Sequence, residues 1–198
     1  MHFREDTQTR EHRVTQALVS PGPLQYELMS SLELNGTCVL IPELDKATYG
    51  KIGDVDIAII CNLGQREETI CGIEVKVMHL TSDGRFKSKK EGKHVKQIRQ
   101  LEEEGWDRIY LLDVIVTDPA QGWLHSQSID GIANFEKECG GTIAGHLVMQ
   151  INSVAHKPET DAGSASCILL KQARFQGQSG TLRPRICEAL RQELRNRA

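Results

Sequence analysis

Apolar residues recur along this chain with two different periods, and the switches between them mark its elements. Residues 108–116, Arg-Ile-Tyr-Leu-Leu-Asp-Val-Ile-Val, form an almost unbroken apolar run that stops at Thr117-Asp118-Pro119. So short and apolar a run predicts a central strand buried on both faces. Residues 54–61 and 70–78 predict two more strands, and the polar, glycine-containing stretch 62–69 between them predicts an antiparallel hairpin. Residues 93–104 carry Val95, Ile98 and Leu101 at helical spacing and end at Gly105, which predicts a helix. Upstream, Pro21-Gly22-Pro23 opens a helix over 24–34 that Asn35-Gly36 closes. Its inward stripe is Leu24, Leu28, Ser31 and Leu32, and Glu27 falls inside that stripe. A strand over 37–41 follows, cut off by Pro42.

Beyond residue 120 the pattern predicts a short helix at 129–138, strands at 146–154 and 165–173, and a final amphipathic helix at 182–197. Ile186, Leu190 and Leu194 form the inward side of that last helix. Residues 1–13 are mostly charged or polar and read as a loose tail. The expected organisation is one α/β domain: a tail or first turn at 1–20, a core at 21–120, and a β/α extension of the same domain at 121–198.

Composition supports a folded chain. Of 198 residues 39% are hydrophobic and 26% charged, and a chain of this length buries roughly 70% of its unfolded surface without staples. Six cysteines are scattered with no C-x-x-C pair, so the reading is of small core residues in a reduced, cytoplasmic protein, with Cys61 and Cys71 at the hairpin the pair placed to meet. The polar N-terminal residues resemble no signal peptide, and no stretch predicts a membrane span. The net charge of −3 excludes an indiscriminate polycation. It conceals a basic stretch, however: Arg85, Lys87, Lys89, Lys90, Lys93, Lys96 and Arg99 stand against Glu91 alone, leaving the rest of the chain acidic.

Alternate residues of a strand share a face, so Asp54 pairs with Asp56 in direction, and Glu74 with Lys76. A hairpin turning near Gln65 sets Asp56 opposite Glu74, bringing three acids and a lysine to one patch. These charges are either the solvent face of an amphipathic hairpin, with Ile57, Ile59, Ile73 and Val75 as its buried side, or an oxygen-rich site for a hard cation such as Mg²⁺ or Mn²⁺.

The order of these residues resembles the PD-(D/E)XK, or restriction-endonuclease-like, nuclease superfamily. Gly53-Asp54-Val55-Asp56-Ile57 is similar to that family's strand acid, Glu74-Val75-Lys76 to its E-V-K triplet, and Glu27 to the glutamate of its first helix. Gln97 is similar to a glutamine on the following helix, with Gln100 as its rival; no proline precedes the key aspartate. The resemblance implies an α/β/α sandwich around a mixed central sheet, and a metal-dependent nuclease acting on DNA rather than RNA. It implies Mg²⁺, with Mn²⁺ as substitute, held by Asp56, Glu74, the Val75 backbone carbonyl and Glu27. Lys76 acts beside the metal, and the 85–99 stretch takes up phosphates. A homodimer is compatible with cutting two strands. Two other readings compete: a nucleotidyltransferase built on Asp54 and Asp56, and a catalytically silent nucleic-acid-binding or assembly module.

Overall fold

The computed structural model describes residues 2–79, 93–117, 141–152, 164–177 and 180–197. In chain order the elements are α1 (His2–Val19), α2 (Pro23–Leu32), β1 (Cys38–Asp45), β2 (Asp54–Cys61), β3 (Thr69–His79), α3 (Lys93–Glu104), β4 (Arg108–Thr117), β5 (Gly145–Asn152), β6 (Ser164–Lys171) and α4 (Arg183–Arg197). A 3-10 turn, Lys46–Tyr49, follows β1. The predicted helix at 129–138 and residues 85–90 of the basic stretch lie outside the described residues.

The strands form one mixed sheet in the order β1-β2-β3-β4-β5-β6. β1, β2 and β3 make an antiparallel meander, because short connections return the chain directly alongside itself. The crossover through α3 returns the chain parallel, so β4 runs with β3; β5 runs with β4, and β6 reverses at the edge.

Alternation in the strands sorts side chains onto two buried faces. On one, Ile57, Ile59, Ile73, Val75, Leu112 and Val114 pack against Val14 and Leu18 of α1 and Leu24, Leu28 and Leu32 of α2. On the other, Ala58, Ile60, Ile70, Ile109 and Leu111 pack against Ile98 and Leu101 of α3 and Ile186 and Leu190 of α4. The result is the expected α/β/α sandwich around a mixed sheet, with a C-terminal β/α addition. The helix–hairpin–helix–strand order from the sequence is the order observed.

Three expectations require correction. Residues 2–19 are helical rather than a loose tail. The apolar stripe that docks them, Val14 and Leu18, occupies only the last two turns, so the polar first half conceals a helix that packing stabilises. Strand β1 runs through Pro42 to Asp45 instead of stopping there, which an edge strand tolerates because one of its sides has no ladder to lose. Finally, Cys38 and Cys61 pair directly across β1 and β2 and are joined by a disulfide, against the expectation of a fully reduced chain. Cys71, Cys167 and Cys187 are free.

The C-terminal helix is fastened by ion pairs. Arg183 donates to both carboxylate oxygens of the buried Asp107 (2.8 and 2.9 Å) and to the backbone carbonyl of Glu68. Arg191 donates to both oxygens of Glu68 at 2.8 Å. Just before α4 the backbone crosses the end of α3: a Cβ on Gly105 would lie 2.5 Å from the Gly180 Cα, and the reverse substitution meets the same obstacle.

Candidate active site at the fork of β2 and β3

The ladder between β2 and β3 runs from Cys61–Thr69 to Ile57–Ile73. One step further, where Asp56 faces Glu74 as the turn position predicted, no main-chain pair is formed. The Asp56 carboxylate instead accepts the Val75 N–H at 2.6 Å, replacing a backbone partner with a side chain. Two strands that separate here leave both carboxylates at the opening.

Lys76 fills the space between them. Its Nζ lies 2.7 Å from Glu74 Oε1 and 3.8 Å from Asp56 Oδ2, and donates to the Val75 carbonyl at 2.9 Å. The environments of the two acids differ: the Glu74 side chain is 4% exposed and that of Asp56 31%. Burial, with the charge of Asp56 behind it, lifts the Glu74 carboxyl to about 7, although Lys76 opposes the rise. Burial also raises Asp56, against the pull of Lys76 and the Val75 N–H, with Glu43 and Asp54 adding to the rise. For Lys76 burial disfavours the ammonium, yet Glu74 and Asp56 outweigh it and hold its pKa above the ordinary value.

Two further groups shape the site from outside the motif. Glu43 sits opposite Asp56, between the Pro42–Ile57 and Leu44–Val55 pairs, with a φ of 51° that a non-glycine residue rarely adopts. It is hydrogen-bonded to His12 of α1. The charge of Lys46 opposes the rise of Glu74. Lys46 is itself buried and paired with Glu104 Oε1 at 3.1 Å, while Glu104 Oε2 accepts from Tyr49 and Trp106.

The remaining candidates divide. Asp54 is exposed at the start of β2, and its charge adds to the rise at Asp56. Glu27 does not join the group: α2 packs against β6, where the charge of Glu27 acts on Cys167 and Ser31 bonds the Cys167 carbonyl. Three strand spacings, roughly 14 Å, separate β6 from β3. The helical carboxylate whose charge reaches Lys76 is Glu11 of α1. The sequence holds its signal: Glu11, Val14 and Leu18 fall at the three- and four-residue spacings that defined the stripe around Glu27.

On α3, Lys96 and Arg99 are exposed. Gln100 donates to the Ile52 carbonyl at 3.5 Å, a long contact, whereas the side-chain oxygen of Gln97 is buried and finds no hydrogen-bond partner among the described residues. Asp113 is buried beneath the sheet's helical cover and paired with His146 at 2.8 Å. Trp106 is fully buried, as a packing residue should be.

Among the described residues no three His, Cys, Asp or Glu side chains gather as a metal cluster. The donors at the fork, two carboxylates and a backbone carbonyl, still fit a hard divalent ion. Mg²⁺ is ordinarily held by one or two carboxylates and completes its shell with water and substrate phosphates.

No family model matches the chain, and no curated protein matches it in sequence. Among solved structures it is similar to Pyrococcus furiosus SfsA in complex with Ca²⁺, at 13% identity and a TM-score of 0.41. The match covers 84% of this chain and 64% of that one. Among the described residues no helix is long and apolar enough to cross a membrane.

Proposed function

We propose that this chain is a divalent-metal-dependent nuclease that hydrolyses phosphodiester bonds, in DNA rather than RNA. The observation that carries the reading is the convergence of Asp56, Glu74, the Val75 carbonyl and Lys76 where β2 and β3 part. A solvent-facing amphipathic hairpin does not account for a glutamate buried to 4% beside a second acid.

Asp56, Glu74 and the Val75 carbonyl would hold Mg²⁺ or Mn²⁺. Bound there, the ion supplies Lewis-acid polarisation of the phosphate and a more acidic water. The chain's own residues do the rest. In the metal-free site Glu74 and Asp56 favour the protonated Lys76, which supports a part in orienting and in neutralising charge gathering on the phosphate rather than in acting as a base. Glu11, not Glu27, is the helical carboxylate placed to steer Lys76. Lys96 and Arg99 provide exposed cations for the nucleic-acid backbone. Arg183 and Arg191 are committed to carboxylates within the fold and take no part.

The test is incubation of the full chain with supercoiled, linear and single-stranded DNA and with structured RNA, in Mg²⁺, Mn²⁺ or EDTA. Cutting should require the divalent ion. It should fall on the order of 10²–10³-fold in Lys76→Ala and disappear in Glu74→Gln and Asp56→Asn, with circular dichroism unchanged. A Lys76→Ala protein that cuts at the wild-type rate removes the mechanism. Binding without cleavage in either metal favours a silent module, and nucleotide transfer from a triphosphate favours a transferase on Asp54 and Asp56.

A further inference from the structure

Resting on that reading, we infer that Lys76 is the resting occupant of the cation position, and that a divalent ion enters only by displacing its ammonium group. The Nζ contacts the same three groups that make up the donor set: Glu74 Oε1 at 2.7 Å, the Val75 carbonyl at 2.9 Å and Asp56 Oδ2 at 3.8 Å. A magnesium ion needs its oxygens at roughly 2.0–2.1 Å. It would thus compete for the lone pairs Lys76 now uses, and two cations sharing them repel. The lysine also has the means to leave, since its charge sits on a flexible four-carbon stem, and Glu11 gives it attraction from a different element.

Among the described residues no other cation at the fork performs this task. Lys46, the other cation whose charge acts on Glu74, is held by Glu104 on the far side of that interaction. Without Lys76 two carboxylates, one of them buried, would face each other in the metal-free protein with only the charge of Lys46, itself paired with Glu104, set against them among the described residues. The ammonium keeps the metal-free site intact, and metal affinity is lowered by whatever its removal costs. The site rests closed by its own lysine and opens when a stronger cation arrives.

Two measurements test this without relying on cleavage. In the first, wild-type protein is reductively methylated with and without Mn²⁺, in the absence of nucleic acid, and Lys76 is followed by mass spectrometry with the other lysines as internal controls. Methylation of Lys76 should rise severalfold when Mn²⁺ is present. In the second, Mn²⁺ alone is titrated calorimetrically into wild type and Lys76→Met. The variant should bind on the order of tenfold more tightly, a difference of about 1.4 kcal/mol. Because the first measurement uses unaltered protein, poor folding of the variant does not shield the inference. Metal-dependent cleavage together with unchanged Lys76 labelling and unchanged affinity would overturn the inference and leave the nuclease reading standing. Failure of wild type and variant alike to bind Mn²⁺ would remove both.

Discussion

Burial and the neighbouring Asp56 move the Glu74 carboxyl from 4.5 to about 7. The unfolded chain gives up this proton near pH 4.5 and the folded chain near pH 7. Between those values the folded state holds more protons, so stability falls as pH rises. Taken alone the shift corresponds to about 3 kcal/mol lost across that window. Lys76 gives a slope of the same sign at higher pH: its raised pKa contributes stability that is present at neutrality and is lost only as pH climbs through the folded value. Glu74→Gln should therefore flatten the pH dependence of Tm between pH 5 and pH 8 in EDTA, with its largest gain over wild type at pH 8. Parallel melting profiles for the two proteins would contradict the burial argument. Asp56 and Glu74 could be read from sequence because a period of two and a turn centred near Gln65 jointly fix which residues oppose each other. The Cys38–Cys61 bond could not, since the two become neighbours only once β1 pairs with β2 in a register that no spacing in the sequence reveals. Burial raises the free Cys71 and leaves it an unreactive thiol.

Helix α4 shows how an element is held by a few charges. Arg183 is the bidentate partner of Asp107, whose side chain is fully buried and also accepts the Ile70 N–H. Arg183→Ala would strand that carboxylate, and breaking a buried pair in this way costs about 3–5 kcal/mol. Urea denaturation should show the loss, and a change below about 0.5 kcal/mol would mean that Asp107 finds another partner. The neighbouring pair gives a second sign. Burial works against the Glu68 carboxylate, but the Gly64 N–H and Arg191 outweigh it and hold the pKa below its ordinary value. Its contribution is present at neutral pH and is lost as pH falls through that lowered value. At this scale the sequence was most legible where period and punctuation agree. Val95, Ile98 and Leu101 closed by Gly105 delimit α3, whose observed span matches the expected one. It was least legible at α1, where half the helix has no apolar stripe and tertiary contact decides.

Across the whole molecule the charge is divided rather than neutral. The basic stretch that follows β3 in sequence is set against an acidic remainder, and its described members Lys96 and Arg99 stand exposed on α3. If this helix meets nucleic acid, each phosphate contact removed by Lys96→Ala or Arg99→Ala should lower the slope of log K against log salt by about 0.9 for a duplex. Fluorescence anisotropy at several salt concentrations with catalysis blocked by EDTA measures it, and an unchanged slope would take α3 out of the interface. The Gly105–Gly180 crossing has a different consequence. It joins the end of α3 to the approach of α4, and α4 covers the sheet face that carries Ile60, Ile70 and Ile109. During synthesis that face has only α3 to cover it until residues 183–197 have been made, while the α1 and α2 face has had both its helices from the start. One face of the sandwich has its helical cover early in synthesis; the other completes its cover only with α4.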